Sequence, residues 1–325
     1  MAQQPSRREK QAAINQSRQV SQPRKKTAPT KARRRSTATL LTWGGVGIVV
    51  LIVIGLVLYS VLGSSSSSPS SGNGYEKAPG SIVNSVTQIP LSVYNTVGIN
   101  SSVVKVSPPT AISGQTPLTF PNANGVEQPG ILYMGAEYCP FCAAERWSMA
   151  AAISRFGTLS GLGLTTSSST DVFPKTPSVT FVKAKVDSQY FTFKAVEQYS
   201  NIPLAGGQAG YVPLQKPSKV ETAIMTKFDS SQFFPNTSPG SIPFIDIGNQ
   251  FLVSGSSFSP SILQGLTRDQ IAAGLSDSTN PATQAIVATA NYLTASICQI
   301  TKGQPGSVCS SKGVQDAAKA MKISF

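Results

Sequence analysis

Two cysteines set two residues apart, between an apolar run and an alanine-rich stretch, constrain this chain more than any other feature. The junction reads Gly130-Ile-Leu-Tyr-Met-Gly-Ala-Glu-Tyr-Cys139-Pro-Phe-Cys142-Ala-Ala-Glu-Arg-Trp147. Residues 131–134 predict a short buried strand. Residues 143–156 predict a helix, stopped by Gly157. Cys139 then falls at the helix cap, where unpaired N–H groups and the positive end of the dipole favour a thiolate. Cys142 falls one turn in, close enough to close a disulfide. Pro140 suits the first helical position, where a missing N–H costs nothing.

The flanking chain supplies a mixed set of elements. Residues 81–97 predict a short helix broken at Pro90. Residues 103–106 and 118–120 predict short strands, and 122–125 a turn. A further strand is expected at 162–167. Two β-branched and aromatic runs, 179–186 and 190–196, flank Asp187-Ser188-Gln189 and predict a hairpin. Residues 206–217 read as loop and 218–228 as a helix. Residues 244–247 and 251–253 predict a second hairpin, turning at Gly248-Asn249 and opened by Pro243. That proline reads either as an ordinary trans proline at a strand start or as a cis proline. Ser259-Pro260, Thr267 and Asn280-Pro281 each mark a helix start, the last helix running to about Cys298. A final helix is expected at 314–322.

The N-terminal quarter has a different character. Residues 1–39 hold eleven of the 27 basic residues and only one of the 14 acids, so the net charge of +13 belongs largely to this tail. With almost no large apolar residue it is expected to be disordered. Residues 40–62 carry no charge, and as a helix at about 1.5 Å per residue they reach roughly 34 Å, enough to cross a bilayer. Trp43 and Tyr59 lie near the two ends, where interfacial aromatics belong. A cleavable signal peptide is the alternative, but the apolar core is long for one and no Ala-x-Ala site follows. The basic flank predicts a cytoplasmic N-terminus and a single-pass protein of the cell membrane, with the domain outside. Residues 63–78 read as a Ser/Gly-rich spacer, and 79–325 as the folded domain. The Arg33-Arg34-Arg35 run could contact nucleic acid, but without aromatic interleaving or a folded module no such partner is expected. The bilayer itself is the expected partner of the tail and span.

No histidine occurs anywhere in the chain. Imidazole general-base catalysis, the Ser-His-Asp arrangement and His-based metal sites are therefore excluded. No metal and no cofactor is expected.

The Ala136-Glu-Tyr-Cys-Pro-Phe-Cys142 run resembles the thioredoxin superfamily pattern, and Ser241-Ile242-Pro243 before a hairpin and helix resembles that superfamily's cis-proline segment. Basic tail, anchor and Cys-Pro-Phe-Cys together also resemble a membrane-anchored family called domain of unknown function 929. The resemblance implies an α/β, thioredoxin-like fold of strand–Cys-x-x-Cys–helix, cis-proline strand, β-hairpin and helix. The 178–199 hairpin would be an insertion and the C-terminal helices an extension. It implies catalytic roles for Cys139 and Cys142 and substrate docking at Ile242 and Pro243. Two departures stand out. Thioredoxins place an Asp six positions before the first cysteine, where this chain has Tyr133, so the proton acceptor is missing or comes from elsewhere, with Glu137 or Glu145 as candidates. Ser-Ile-Pro replaces the Thr-Val-Pro of the glutaredoxin glutathione site, so glutathione binding is not expected.

Four cysteines allow three pairings. The local Cys139–Cys142 pair leaves Cys298–Cys309, which reads as a structural disulfide. A second redox pair and a four-cysteine zinc site are the alternatives. Two functions follow for the whole chain. One is a thiol–disulfide oxidoreductase acting on cysteine-containing proteins outside the membrane, recharged by a membrane redox partner. The other is a non-catalytic binding or assembly domain with inert disulfides. An exposed Cys139 favours the first and a buried pair the second.

Overall fold

A computed structural model describes residues 75–101 and 105–325. The expected tail, the expected span and the spacer up to residue 74 lie outside the described residues, as do residues 103 and 104 of the expected strand at 103–106, whose described residues 105 and 106 form no strand. Among the described residues no helix is long and apolar enough to cross a membrane.

The elements form a mixed α/β domain. In chain order they begin β1 (Glu76–Lys77), α1 (Gly80–Thr87), α2 (Leu91–Val97), β2 (Thr110–Ala111), β3 (Thr119–Pro121) and β4 (Glu127–Gly135). The long helix α3 (Pro140–Ile153) follows, ending in a 3-10 turn at Ser154–Phe156. Then come β5 (Thr158–Ser160), β6 (Gly163–Thr166), β7 (Pro177–Thr180), β8 (Lys185–Asp187), β9 (Thr192–Glu197), β10 (Tyr199–Pro203) and β11 (Tyr211–Pro213). Helix α4 (Lys219–Phe228), strands β12 (Phe244–Ile247) and β13 (Phe251–Ser254), and helices α5 (Arg268–Gly274), α6 (Pro281–Ile300), α7 (Gly306–Cys309) and α8 (Lys312–Met321) complete the chain.

The central sheet has β4 in its middle. On one side β12 pairs antiparallel, Ile131 opposite Ile247 and Met134 opposite Phe244, and carries β13 and then β2 beyond it. On the other side β9 runs parallel to β4, from Gly130 opposite Thr192 to Gly135 opposite Glu197, while β3 pairs the start of β4. Alternation along β4 gives the sheet two buried faces. Ile131 and Tyr133 point into the larger core with Trp147, Met149 and the apolar side of α6. Leu132 and Met134 point the other way, to Phe244, Leu252 and Phe228 of α4. The sheet is thus sandwiched between α3 and α6 on one side and α4 on the other.

Local chemistry accounts for the helices. Asn280 caps α6 by accepting from the Ala282 and Thr283 N–H groups, with Pro281 at the first position. Ser218 with Glu221, and Thr267 with Gln270, form reciprocal capping boxes at α4 and α5. The β12–β13 turn carries Gly248 at φ 69° and Asn249 at φ 54°, as a tight hairpin requires. A Cβ on Gly248 would also strike Ile300 of α6.

The expected hairpin insertion at 178–199 is corrected by the pairing. β7 joins β6, β8 joins β5, and β9 joins the central sheet in parallel with β4. A β-branched and aromatic run reads the same whether its partner is the next strand or one far earlier in the chain, so the run alone does not name the partner. Two smaller corrections follow. The expected 206–217 loop contains β11, which pairs with β10. The helix expected at Ser259-Pro260 is a 3-10 turn, Pro260–Leu263.

Candidate active site

β4 ends at Gly135, and four residues later Cys139 caps α3 in extended backbone (φ −78°, ψ 121°). Its Sγ accepts a hydrogen bond from the Cys142 N–H at 3.3 Å. In the thiol form it donates to the Ile242 carbonyl at 3.6 Å. The Ile242–Pro243 bond is cis, the second of the two readings of that proline. All four residues expected at the site are thus brought together, although Cys139 and Cys142 lie 103 and 101 positions away from Ile242 and Pro243 in sequence. Gly255 N–H bonds the Pro243 carbonyl and ties β13 to the same corner.

Cys139 and Cys142 are free thiols, and both are buried, at 4% and 0% exposure. Their electrostatics differ. A hydrogen bond from the Cys142 thiol lowers the Cys139 pKa below the ordinary 9.0. The Cys142 and Phe141 backbone N–H groups and the Arg146 charge add to this and outweigh burial. Burial pushes Cys142 well above that value, and its hydrogen bond to Cys139 adds to the rise. The two shifts run in opposite senses, Cys139 toward the thiolate and Cys142 toward the thiol.

Under the cysteines lies a buried ion pair that the sequence did not announce. Arg146, one turn beyond Cys142 on α3, meets Glu197 at the end of β9 at 3.3 Å, with both side chains fully buried. Arg146 Nε also donates to Ser178 Oγ at 3.3 Å, and Nη2 to the Ala136 carbonyl at 3.5 Å. Glu197 Oε1 accepts from the Phe181 N–H at 3.3 Å. Burial opposes the Arg146 charge, and the facing Glu197 carboxylate overcomes it. Burial likewise raises Glu197, while Arg146 pulls it back. Tyr133 completes the cluster, held in its neutral form by burial first and then by Glu197 and Cys142. Gly135 leaves room for that ring, since a Cβ there would run into the Tyr133 hydroxyl.

Glu145, one of the two acids expected near the cysteines, is fully buried but faces elsewhere. It accepts from Ser257 N–H at 2.8 Å and Ser257 Oγ at 3.1 Å, and burial lifts its pKa from 4.5 to about 7. Glu137, the other, gives its backbone N–H to the Tyr199 carbonyl at 2.9 Å. Rings surround the reactive corner. Tyr138 stacks on Tyr211 at 4.2 Å between centroids, and Phe141 meets Phe173 edge-on at 5.8 Å.

Cys298 and Cys309 form a disulfide joining α6 to α7, with Cα atoms 5.7 Å apart. That pairing removes two of the four thiolates a zinc site would need. The third alternative weighed for the cysteines, a second redox pair, concerns the same bond, whose two residues are 0% and 2% exposed.

Fold and site together describe a mixed α/β domain with a dithiol at a helix N-terminus beside a cis proline. Residues 116–299 match the family described as Domain of unknown function (DUF929), over more than half the chain, and the protein belongs to that family. The matched region includes Cys139, Cys142, Glu197 and Pro243. No curated protein and no solved structure matches the chain.

Proposed function

We propose that the protein is a membrane-anchored thiol–disulfide oxidoreductase with a thioredoxin-like fold, acting on protein cysteines outside the membrane. The observation that carries this reading is the placement of Cys139. Its sulfur sits at a helix N-terminus, 3.3 Å from the Cys142 N–H and 3.6 Å from the carbonyl that precedes cis Pro243. Support for the fold comes from the order of the central strands, β9–β4–β12–β13, with β9 parallel to β4 and β12 and β13 successively antiparallel. The anchor rests on the apolar run at 40–62, and the outside location on the charge flanking it.

In the reductive direction the Cys139 thiolate attacks one sulfur of a substrate disulfide. A Cys139–substrate disulfide forms, and the other substrate sulfur leaves as a thiolate. Cys142 then gives up its proton and attacks Cys139 Sγ. The protein disulfide forms, and the second substrate thiolate is released. The substrate gains two electrons and the protein dithiol loses two. Glu197 is the proton acceptor we assign to Cys142, with Arg146 holding the carboxylate in place. The oxidative direction is the reverse, and a membrane partner would then reoxidise the dithiol.

Replacing Cys142 with Ser stops the second step. The variant should accumulate mixed disulfides with substrate proteins on Cys139, read by mass spectrometry of non-reduced digests. The burial of both thiols favours a second reading, a non-catalytic binding domain whose dithiol closes into an inert bond. The reduction potential separates the two. Roughly −120 to −270 mV spans known oxidases, isomerases and reductases, while a value below about −300 mV marks a structural bond and would sink the redox reading.

A further inference from the structure

A groove of about 500 Å³ opens beside the Cys139 corner. Phe141, Phe173 and Phe258 line it together with the Gly255–Ser259 segment, and Lys105 stands on its rim. The groove is continuous with the reactive corner through the backbone. Ile242 faces Cys139 Sγ, the next residue is Pro243, and the Pro243 carbonyl accepts from the Gly255 N–H at 2.9 Å. Its walls are built. Phe141 and Phe173 are half-buried and already meet edge-on. On the opposite wall Ser257 is held twice by the buried Glu145 carboxylate, and its carbonyl accepts from the Ser107 N–H at 2.8 Å. Lys105 is the one ionisable residue among those lining the groove.

Resting on the redox reading above, we infer that this groove selects among substrate polypeptides. It takes an extended segment with an aromatic side chain and an acidic residue close to the cysteine that exchanges with Cys139. The aromatic guest enters between the phenylalanine walls, where edge-to-face packing adds to apolar burial. The acid meets Lys105 at the rim, where the charge sets orientation and rate of approach more than affinity. A small thiol such as glutathione brings carboxylates but no aromatic side chain, so it leaves the space between the phenylalanine walls unfilled.

The test uses the full-length chain carrying Cys142→Ser, in detergent micelles. Four short peptides, each with one cysteine, are presented as mixed disulfides with thionitrobenzoate. Their cysteines are flanked by Phe and Asp, Ala and Asp, Phe and Lys, or Ala alone. Cys139 attacks the peptide sulfur, the Cys139–peptide disulfide forms, and thionitrobenzoate leaves as a coloured thiolate. We expect the Phe/Asp peptide to react about 10-fold faster than the Ala peptide. Phe173→Ala should bring that ratio toward one, and Lys105→Glu should invert the order of the Phe/Asp and Phe/Lys peptides. Equal rates for all four peptides would overturn the groove assignment and leave the redox reading standing. No release from any peptide would overturn the redox reading and this assignment with it.

Discussion

Arg146 and Glu197 are the residues on which the site rests. A buried pair adds little to stability as a pair, but stripping one partner leaves an uncompensated charge in a dry interior. Arg146→Met should therefore cost about 3–5 kcal/mol, measured by urea unfolding. Adding Glu197→Gln should restore most of the loss, because Gln keeps an acceptor for the Phe181 N–H without the charge. Glu145 makes a prediction of a different kind. Its folded pKa, raised by burial to about 7, lies above the ordinary 4.5 of an unfolded chain. Folding then takes up a proton between these values, so this contribution to stability is complete below pH 4.5 and is lost as the pH climbs through 7. Asp246, raised by burial from 3.8 to about 7 against the Asn249 N–H bond, acts in the same sense. Thermal midpoints at pH 5 and pH 8 should differ in favour of pH 5. Glu145→Gln, which keeps an acceptor for Ser257, should shrink the gap and leave the Asp246 share.

At the scale of elements, the caps decide where helices begin. Asn280 alone satisfies two N–H groups of α6, the helix that backs α3 in the core. Asn280→Ala should cost about 1 kcal/mol in urea unfolding without altering the thiol chemistry. The caps are also what made so much of the fold legible. Asn280-Pro281, the Ser218 and Thr267 boxes, Gly248-Asn249 and the Cys-Pro junction are local signals, and each marked its element to within a residue or two. β9 carried no such signal. Its partner β4 lies some sixty residues earlier, and an alternating β-branched run is the same whether its neighbour is the next strand or a distant one. Glu197 was illegible for a related reason. It is a lone acid at a strand end, and only the parallel register that sets it opposite Gly135 brings it under α3 to Arg146. Glu137 and Glu145 are the acids nearest the cysteines in the chain. The acid that lies under them comes from 55 residues beyond Cys142. A search for a second buried charge to satisfy Arg146, whose neighbours on α3 are nearly all apolar or small, would have been the way to find it.

At the scale of the whole molecule, the cysteines fall into one free pair and one bonded pair. Cys298 and Cys309 close a loop at a sequence separation of 11, inside packed structure. Removing that bond by the double change to Ala should lower stability by about 3 kcal/mol while leaving the Cys139–Cys142 potential where it was. A shift in that potential would mean that the pairs exchange electrons. Trp147 turns the same architecture to practical use. The chain has two tryptophans, Trp43 and Trp147. Trp147 lies fully buried on the helix that begins at Cys139, with its indole N–H bonded to the Pro177 carbonyl at 3.0 Å. With Trp43 changed to Phe, a single tryptophan remains, five residues past Cys142. Its emission is expected to differ between the dithiol and disulfide forms of the pair, which would follow the Cys139–Cys142 bond with no label attached to the protein and no thiol spent on the probe.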